Sequence, residues 1–289
     1  MISANLVKEL RETTGAGMLD CKKALEESNG NLEEAVNWLR EKGIAKAAKK
    51  ASRVAAEGTA AVLIKDNDAV IVEINSETDF VSKNDEFKEM VNIILETIIK
   101  NDPKSEEDVL KLNAGECTIE QLITNKTATI GEKIDFRRFT KLTKNDNQEF
   151  GSYIHMGGKI AVLTLLENSN IEVAKDVAMQ AAAMKPSYIR IDDVPADVVE
   201  KERTVLKEQA INEGKQPEIA EKMVEGRIQK FYKEVCLEEQ AFIKNGDISV
   251  KQYVTEGNGS IVQMIRYEVG EGIQKREESF ADEVAKLQN

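Results

Sequence analysis

One histidine, three cysteines and no long apolar run set the first limits on this 289-residue chain. With His155 as the only histidine, neither a His-based metal site nor Ser-His-Asp catalysis can be assembled in the usual way. His155 lies beside a hairpin signal, where a hydrogen-bonded structural role is the default over catalysis. Cys21, Cys117 and Cys236 are odd in number and lack metal-ligand spacing, a usage that suits a reducing compartment and predicts a cytoplasmic protein. No stretch approaches the ~20 apolar residues of a membrane span, and Met1-Ile2-Ser3-Ala4-Asn5 lacks the regions of a signal peptide. Neither anchoring nor export is expected. A phosphate loop is missing as well: there is no GxxxxGKS/T and no GxGxxG opening a helix after a strand, and Gly157-Gly158-Lys159 reads as a hairpin turn. Basic charge is the minority, with 40 Lys and Arg against 52 Asp and Glu and a net charge of −12. That balance argues against a broad phosphate-binding surface, so no direct nucleic-acid partner is expected. The acids lie in charge-rich helices with no apolar pocket signalled to raise a pKa. Catalytic, metal and cofactor sites are all expected to be absent.

What is present is patterned apolar sequence, 41% of the chain, enough for two domains and a smaller appendage. Residues 5–43 predict three short helices, with Leu6, Val7 and Leu10, then Met18, Cys21 and Leu25, then Leu32, Val36 and Leu39 on their inner faces. Gly15, Gly17 and Asn29-Gly30-Asn31 supply the turns, and Trp38 covers part of the small core. Lys42 to Ala56 sets basic residues among alanines, either a solvated helical spacer or a stripe for an acidic partner. From Thr59 the pattern is strand, turn at Asp66-Asn67-Asp68, strand and long helix, with a short helix near Ile119–Ile123 and another strand over Ile134–Leu142. A similar order recurs: a hairpin of Tyr153–Met156 and Ile160–Leu166, a helix over Ile171–Met184 and a strand over Ile261–Val269. Into this second half is inserted a helical hairpin. Pro195 is expected at its first helical position, Gly214 and Pro217 at the break, and Ile219, Met223, Ile228, Phe231 and Val235 on the return helix, which either projects as a coiled-coil arm or lies flat. Phe280, Val284 and Leu287 form a last amphipathic stripe over Glu277–Leu287.

Thr78-Asp79-Phe80-Val81 is the stretch that stands out. Ser82-Lys83-Asn84-Asp85 offers a cap, and Phe87, Met90, Val91, Ile94 and Ile98 follow at helical spacing, so a helix is expected to start near Lys83. Phe80 then lies on a strand-to-helix connection, where binding residues tend to sit on a rigid support. It either projects as a probe or tucks beneath its own helix, the commoner fate of a phenylalanine.

Six stretches in order carry a resemblance: LVKELRETTGAGMLDCKKALEE from Leu6, AAKKASRVAAEG from Ala47, ETDFVSKNDEF from Glu77, GSYIHMGGKIAVL from Gly151, IAEKMVEGR from Ile219 and IRYEVGEGI from Ile265. With these the chain resembles the bacterial-type elongation factor Ts family, guanine-nucleotide exchange factors of elongation factor Tu. The resemblance implies an α+β fold: a three-helix ubiquitin-associated-like bundle with its basic linker over 1–54, two related core subdomains over 55–148 and over 149–190 with 233–272, an antiparallel coiled-coil hairpin over 191–232, and a C-terminal helical module over 273–289. It implies that Thr78, Asp79, Phe80 and Val81 enter the partner's GTPase domain and dislodge its Mg²⁺. Further contacts carried over by motif are Met18, Leu19 and Lys22 of GAGMLDCK, Ile130 and Gly131 of TIGEK, His155 of YIHMGG, and Val235. The implied partner is elongation factor Tu, GDP-bound and nucleotide-free, with no cofactor and no covalent chemistry on this chain. Two other classes compete: an interaction scaffold built on the N-terminal bundle, which leaves ETDFV and YIHMGG idle, and a hydrolase, for which no catalytic constellation is found.

Overall fold

Ser3 accepts the Leu6 N–H at 3.2 Å and so caps α1 (Ala4–Thr14), which ends where Gly15 turns left-handed at φ 67°. The second helix, α2 (Met18–Glu27), follows, and Asn31 caps α3 (Leu32–Lys50) by accepting the N–H groups of Glu33 and Glu34. Val7, Leu10, Cys21, Ala24, Leu25 and Ala35 close the core between them, with Trp38 packed on its side. Met18, expected on the inner stripe, is 60% exposed instead, because it sits in the opening turn of α2 beyond the reach of that core. A computed structural model supplies these coordinates and describes residues 2–274; the stripe expected over Glu277–Leu287 lies outside them.

Two compact units are formed among the described residues, one from 2–63, 72–141 and 268–274, the other from 64–71 and 142–267. β1 (Glu57–Lys65) and β2 (Asp68–Ser76) are joined by a two-residue turn at Asp66, φ 54°. β2 pairs with β1 on one side and with β3 (Ile134–Thr143) on the other, which explains why Ala69 through Ser76 are all buried. Between β2 and β3 come α4 (Asp79–Lys83), α5 (Asp85–Lys100), α6 (Glu106–Lys111) and α7 (Ile119–Ile130). Phe87, Met90, Val91, Ile94, Leu95 and Ile98 bury one face of α5, each worth roughly 1.5–3 kcal/mol when taken fully out of water. The cap of α5 is Asn84, whose Oδ1 accepts the Glu86 N–H at 2.8 Å, while Ser82 donates backward to the Asp79 carbonyl.

The basic stretch is no free spacer. Lys42 to Lys50 are the last turns of α3, which packs against α7. Gly43 is buried there, and a Cβ at that position would stand 3.3 Å from the Ala128 methyl. A side chain at residue 43 would therefore hold the two helices apart.

In the second unit, β4 (Gln148–His155) and β5 (Ile160–Glu167) pair antiparallel from Gln148↔Glu167 to His155↔Ile160. Then come α8 (Ile171–Met184), α9 (Ala196–Asn212), α10 (Pro217–Val235), β6 (Ala241–Phe242), β7 (Asn245–Ser249), α11 (Val250–Glu256) and β8 (Ser260–Glu268). The sheet order is β4-β5-β8, and α8 covers it through Ala174, Val177, Ala178 and Ala181 against Val162 and Leu166. Alanines let α8 come close, and Gly151 on β4 lets it come closer still. A Cβ on Gly151 would fall 2.1 Å from the Ala174 carbonyl, which also accepts Thr164 Oγ1 at 2.9 Å. Gly151→Ala is therefore expected to cost about 1–3 kcal/mol, as overpacking does, and to lower the melting temperature by roughly 3–10 °C in a thermal melt.

Pro195 occupies the N-cap of α9, one residue earlier than its expected first helical position, since its extended ψ of 137° suits entry and the helix begins at Ala196. α9 and α10 pack together over buried Ala210, Ala220, Val224 and Ile228, with Arg203–Glu225, Lys207–Glu221 and Arg227–Glu213 pairs across their flanks. Exposed pairs of this kind set register more than stability.

Candidate functional site

β2 ends at buried Ser76, and the chain leaves the sheet through Thr78, which adopts φ −125° and ψ 158° as N-cap of α4. Thr78 makes no side-chain cap bond, and its hydroxyl is turned toward Glu132 instead. Its Oγ1 donates to Glu132 Oε1 at 2.7 Å and its N–H to Glu132 Oε2 at 2.9 Å. Both bonds are charge-assisted, hence roughly twice as strong as neutral ones. In the opposite sense, Glu77 Oε1 accepts the Lys133 N–H at 2.6 Å and the Arg53 guanidinium at 3.2 Å. The turn before α4 is thus stapled to the turn after α7. Gly131 makes that second turn at φ 90°, a conformation costly for any residue with a Cβ, and its carbonyl accepts Lys50 Nζ at 2.6 Å.

α4 is a single turn, not the open connection expected from the sequence. Val81 is 6% exposed and roots it, whereas Phe80 is 78% exposed. Successive helical residues point about 100° apart, so sinking Val81 swings Phe80 outward. Lys83 Nζ pairs with Asp79 Oδ2 at 2.7 Å and stands 5.8 Å from the Phe80 ring centroid. The result is an exposed aromatic ring beside a carboxylate that is 43% exposed, on a base tied to two other segments.

The fold therefore brings Thr78, Asp79, Phe80 and Val81 together with Ile130, the last residue of α7, and Gly131. Met18 and Leu19 belong to the same unit and lie at the start of α2, 60% and 83% exposed, with Lys22 a turn later beside Glu26 at 3.8 Å. His155 and Val235 belong to the other unit. His155 closes β4 with an exposed ring stacked on Tyr153, centroids 6.1 Å apart, and its carbonyl accepts the Gly158 N–H. Next to it Met156 is 73% exposed at φ 48°, the first of three left-handed residues in the hairpin loop. Val235 ends α10 half-buried, its carbonyl accepting the N–H groups of Ser187 and Tyr188.

Sequence reasoning missed Glu77, Arg53 and Glu132. Their bonds span 24 to 56 positions, and no local periodicity announces such a pairing. Nothing in the arrangement is set up for covalent chemistry by the thiols. Burial pushes Cys21 and Cys117 up, and Cys236 up to about 11, which keeps all three protonated near neutrality. Among the described residues no cluster of three His, Cys, Asp or Glu side chains could hold a metal ion, and no helix is long and apolar enough to cross a membrane.

A family model described as Elongation factor TS matches residues 77–271, beginning at the glutamate that staples the Thr78 turn and running beyond β8. That match covers more than half of an α+β chain and has the exposed Phe80 ring near its start, and the chain belongs to the elongation factor Ts family of translation elongation factors.

Proposed function

We propose that the protein binds elongation factor Tu in its GDP-bound and nucleotide-free states and promotes GDP release by dislodging the partner's Mg²⁺ and loosening its switch region, so that GTP can reload. The observation that carries this reading is Phe80, 78% exposed on a one-turn helix whose base is held by Glu132. A large apolar ring held in water is a cost to the free protein and a gain to a complex. Asp79 stands beside it as a charge that competes for the hydrogen bonds ordering the Mg²⁺ shell.

Exchange is a coupling problem: whatever factor this protein takes from GDP affinity, GDP takes from its own. A ~10,000-fold weakening needs about 5.5 kcal/mol of differential interaction, whereas one buried Phe supplies about 1.5–3 kcal/mol. Phe80 alone falls short. Met18, Leu19, Lys22, Ile130, Gly131, His155 and Val235 are the remaining proposed contacts, and their spread over the chain is what such a distributed mechanism requires. On this reading the protein acts in the cytoplasm by binding alone, and the metal belongs to its partner.

Asp79→Asn tests the mechanism. The substitution keeps the size, removes the charge and breaks the Lys83 pair. The variant is expected to bind elongation factor Tu nearly normally, to release labelled GDP poorly at millimolar Mg²⁺, and to recover toward the parent when Mg²⁺ is chelated, since chelation performs the displaced step. Equal release rates for variant and parent across the whole Mg²⁺ titration would sink the charge mechanism.

A further inference from the structure

We propose that Glu132 is a positioning residue for nucleotide exchange: its carboxylate locks Thr78 and so sets the direction in which α4 presents Phe80. The inference rests on the reading of Phe80 as the group that enters the partner. α4 has five residues, too few to hold a helical conformation by itself, and its N-cap threonine offers it no side-chain bond. Its far end runs into α5, where the Asn84 N–H bonds the Val81 carbonyl, and at its near end Ser76 Oγ donates to the Thr78 carbonyl. Beneath it, buried Val81 fixes one point; at its entrance, Glu132 holds both donors of Thr78. The Glu132 bonds alone tie the Thr78 entrance to the turn after α7, across 54 positions, and so fix its direction against that distant segment.

Glu132 is itself aimed by its neighbours. The residue before it, Gly131, is left-handed with its carbonyl on Lys50 Nζ, and the residue after it, Lys133, has its N–H on Glu77 Oε1 at 2.6 Å. Glu77 in turn takes Arg53. A carboxylate flanked by two held backbone groups has little choice of direction, so the ordering of Phe80 is completed before any partner arrives. Pre-organisation of this kind lowers the cost of making the contact.

The test is a mutant cycle read by release of labelled GDP from elongation factor Tu. Glu132→Gln keeps the volume but takes the charge from both Thr78 bonds and obliges Thr78 Oγ1 to accept from the amide NH₂ instead of donating to a carboxylate. It is expected to lower the maximal stimulated rate by about tenfold, the scale of a hydrogen bond to a charged group, while the half-saturating concentration stays within about twofold. In a Phe80→Ala background the same substitution is expected to add nothing, because a ring that is gone cannot be misdirected. A general loss of structure would not vanish in that background. Thr78→Val, which removes the hydroxyl donor alone, should move the rate in the same direction by less, and it carries the cycle should Glu132→Gln melt below the assay temperature. Parental release by Glu132→Gln alongside slow release by Phe80→Ala would overturn the positioning role and leave the Phe80 reading standing; so would losses that multiply in the double variant. Parental release by Phe80→Ala itself would overturn both.

Discussion

Phe80→Ala is expected to slow stimulated GDP release from elongation factor Tu by roughly 10- to 100-fold, the kinetic equivalent of the 1.5–3 kcal/mol that one buried phenylalanine contributes. The same substitution should move the melting temperature by less than about 2 °C. With 78% of the residue in solvent, little of the ring contributes to the fold, and exposed substitutions usually stay within about 0.5 kcal/mol. Release kinetics and a thermal melt on one preparation decide it together. Truncating a core phenylalanine costs about 3–5 kcal/mol, so a drop of many degrees would place the ring inside the protein and end its role as a probe.

Glu73→Ala is expected to do the reverse, costing about 3 kcal/mol of stability and exchange only through loss of fold. Glu73 lies on the central strand β2 with no exposure. Its Oε1 accepts Arg137 at 2.8 Å, Asn75 Nδ2 at 3.1 Å and the Gly270 N–H at 2.8 Å, and its Oε2 accepts Arg138 Nε at 2.7 Å. Breaking a buried ion pair from one side typically costs about 3–5 kcal/mol, because the remaining charge is stranded. The low end applies here: the two arginine side chains are 23% and 29% exposed and can draw some water. The Gly270 amide would also lose its acceptor, at a glycine turned to φ 77°. A urea titration measures the effect; an unmoved midpoint would show that the carboxylate contributes nothing net to folding.

These two residues mark different depths of legibility. Phe80 stood out in the sequence as an aromatic beside an acid ahead of a helix, but its type alone favoured burial. Glu73 carried no signal, since a single acid within the β-branched run from Ala69 to Ile74 announces neither burial nor two arginines 64 and 65 positions away. α8 was legible to the residue, Ile171 to Met184, and the hairpin of β4 and β5 was legible in its place and its turn, although β4 begins at Gln148, five residues before the expected Tyr153, and leaves Met156 in the left-handed loop. In such elements the bonds close within four residues or across a tight turn, so periodicity and turn chemistry suffice. The cap of α5 was misplaced by two residues because Ser82 and Asn84 are both capable acceptors. Only Asn84 has the extended backbone a cap needs, and Ser82 is already inside α4.

By itself the sequence determined most of the longer helices and strands and the turns between them, though not α6, β6, β7 or α11, together with the stripe that α5 buries and the run of motifs that mark the family. Local bonds and side-chain periodicity are written in neighbouring residues. Only the tertiary structure decided that α3 lies on α7 rather than in solvent, that α7 runs on to Ile130 where a shorter helix was expected, and that Glu132 reaches back to Thr78 across 54 positions. It decided the exposure of Phe80 for the same reason. The direction of that side chain follows from the burial of Val81 and from what Thr78 is bonded to, and Glu132, the partner of Thr78, is distant in sequence and close only once the fold has formed.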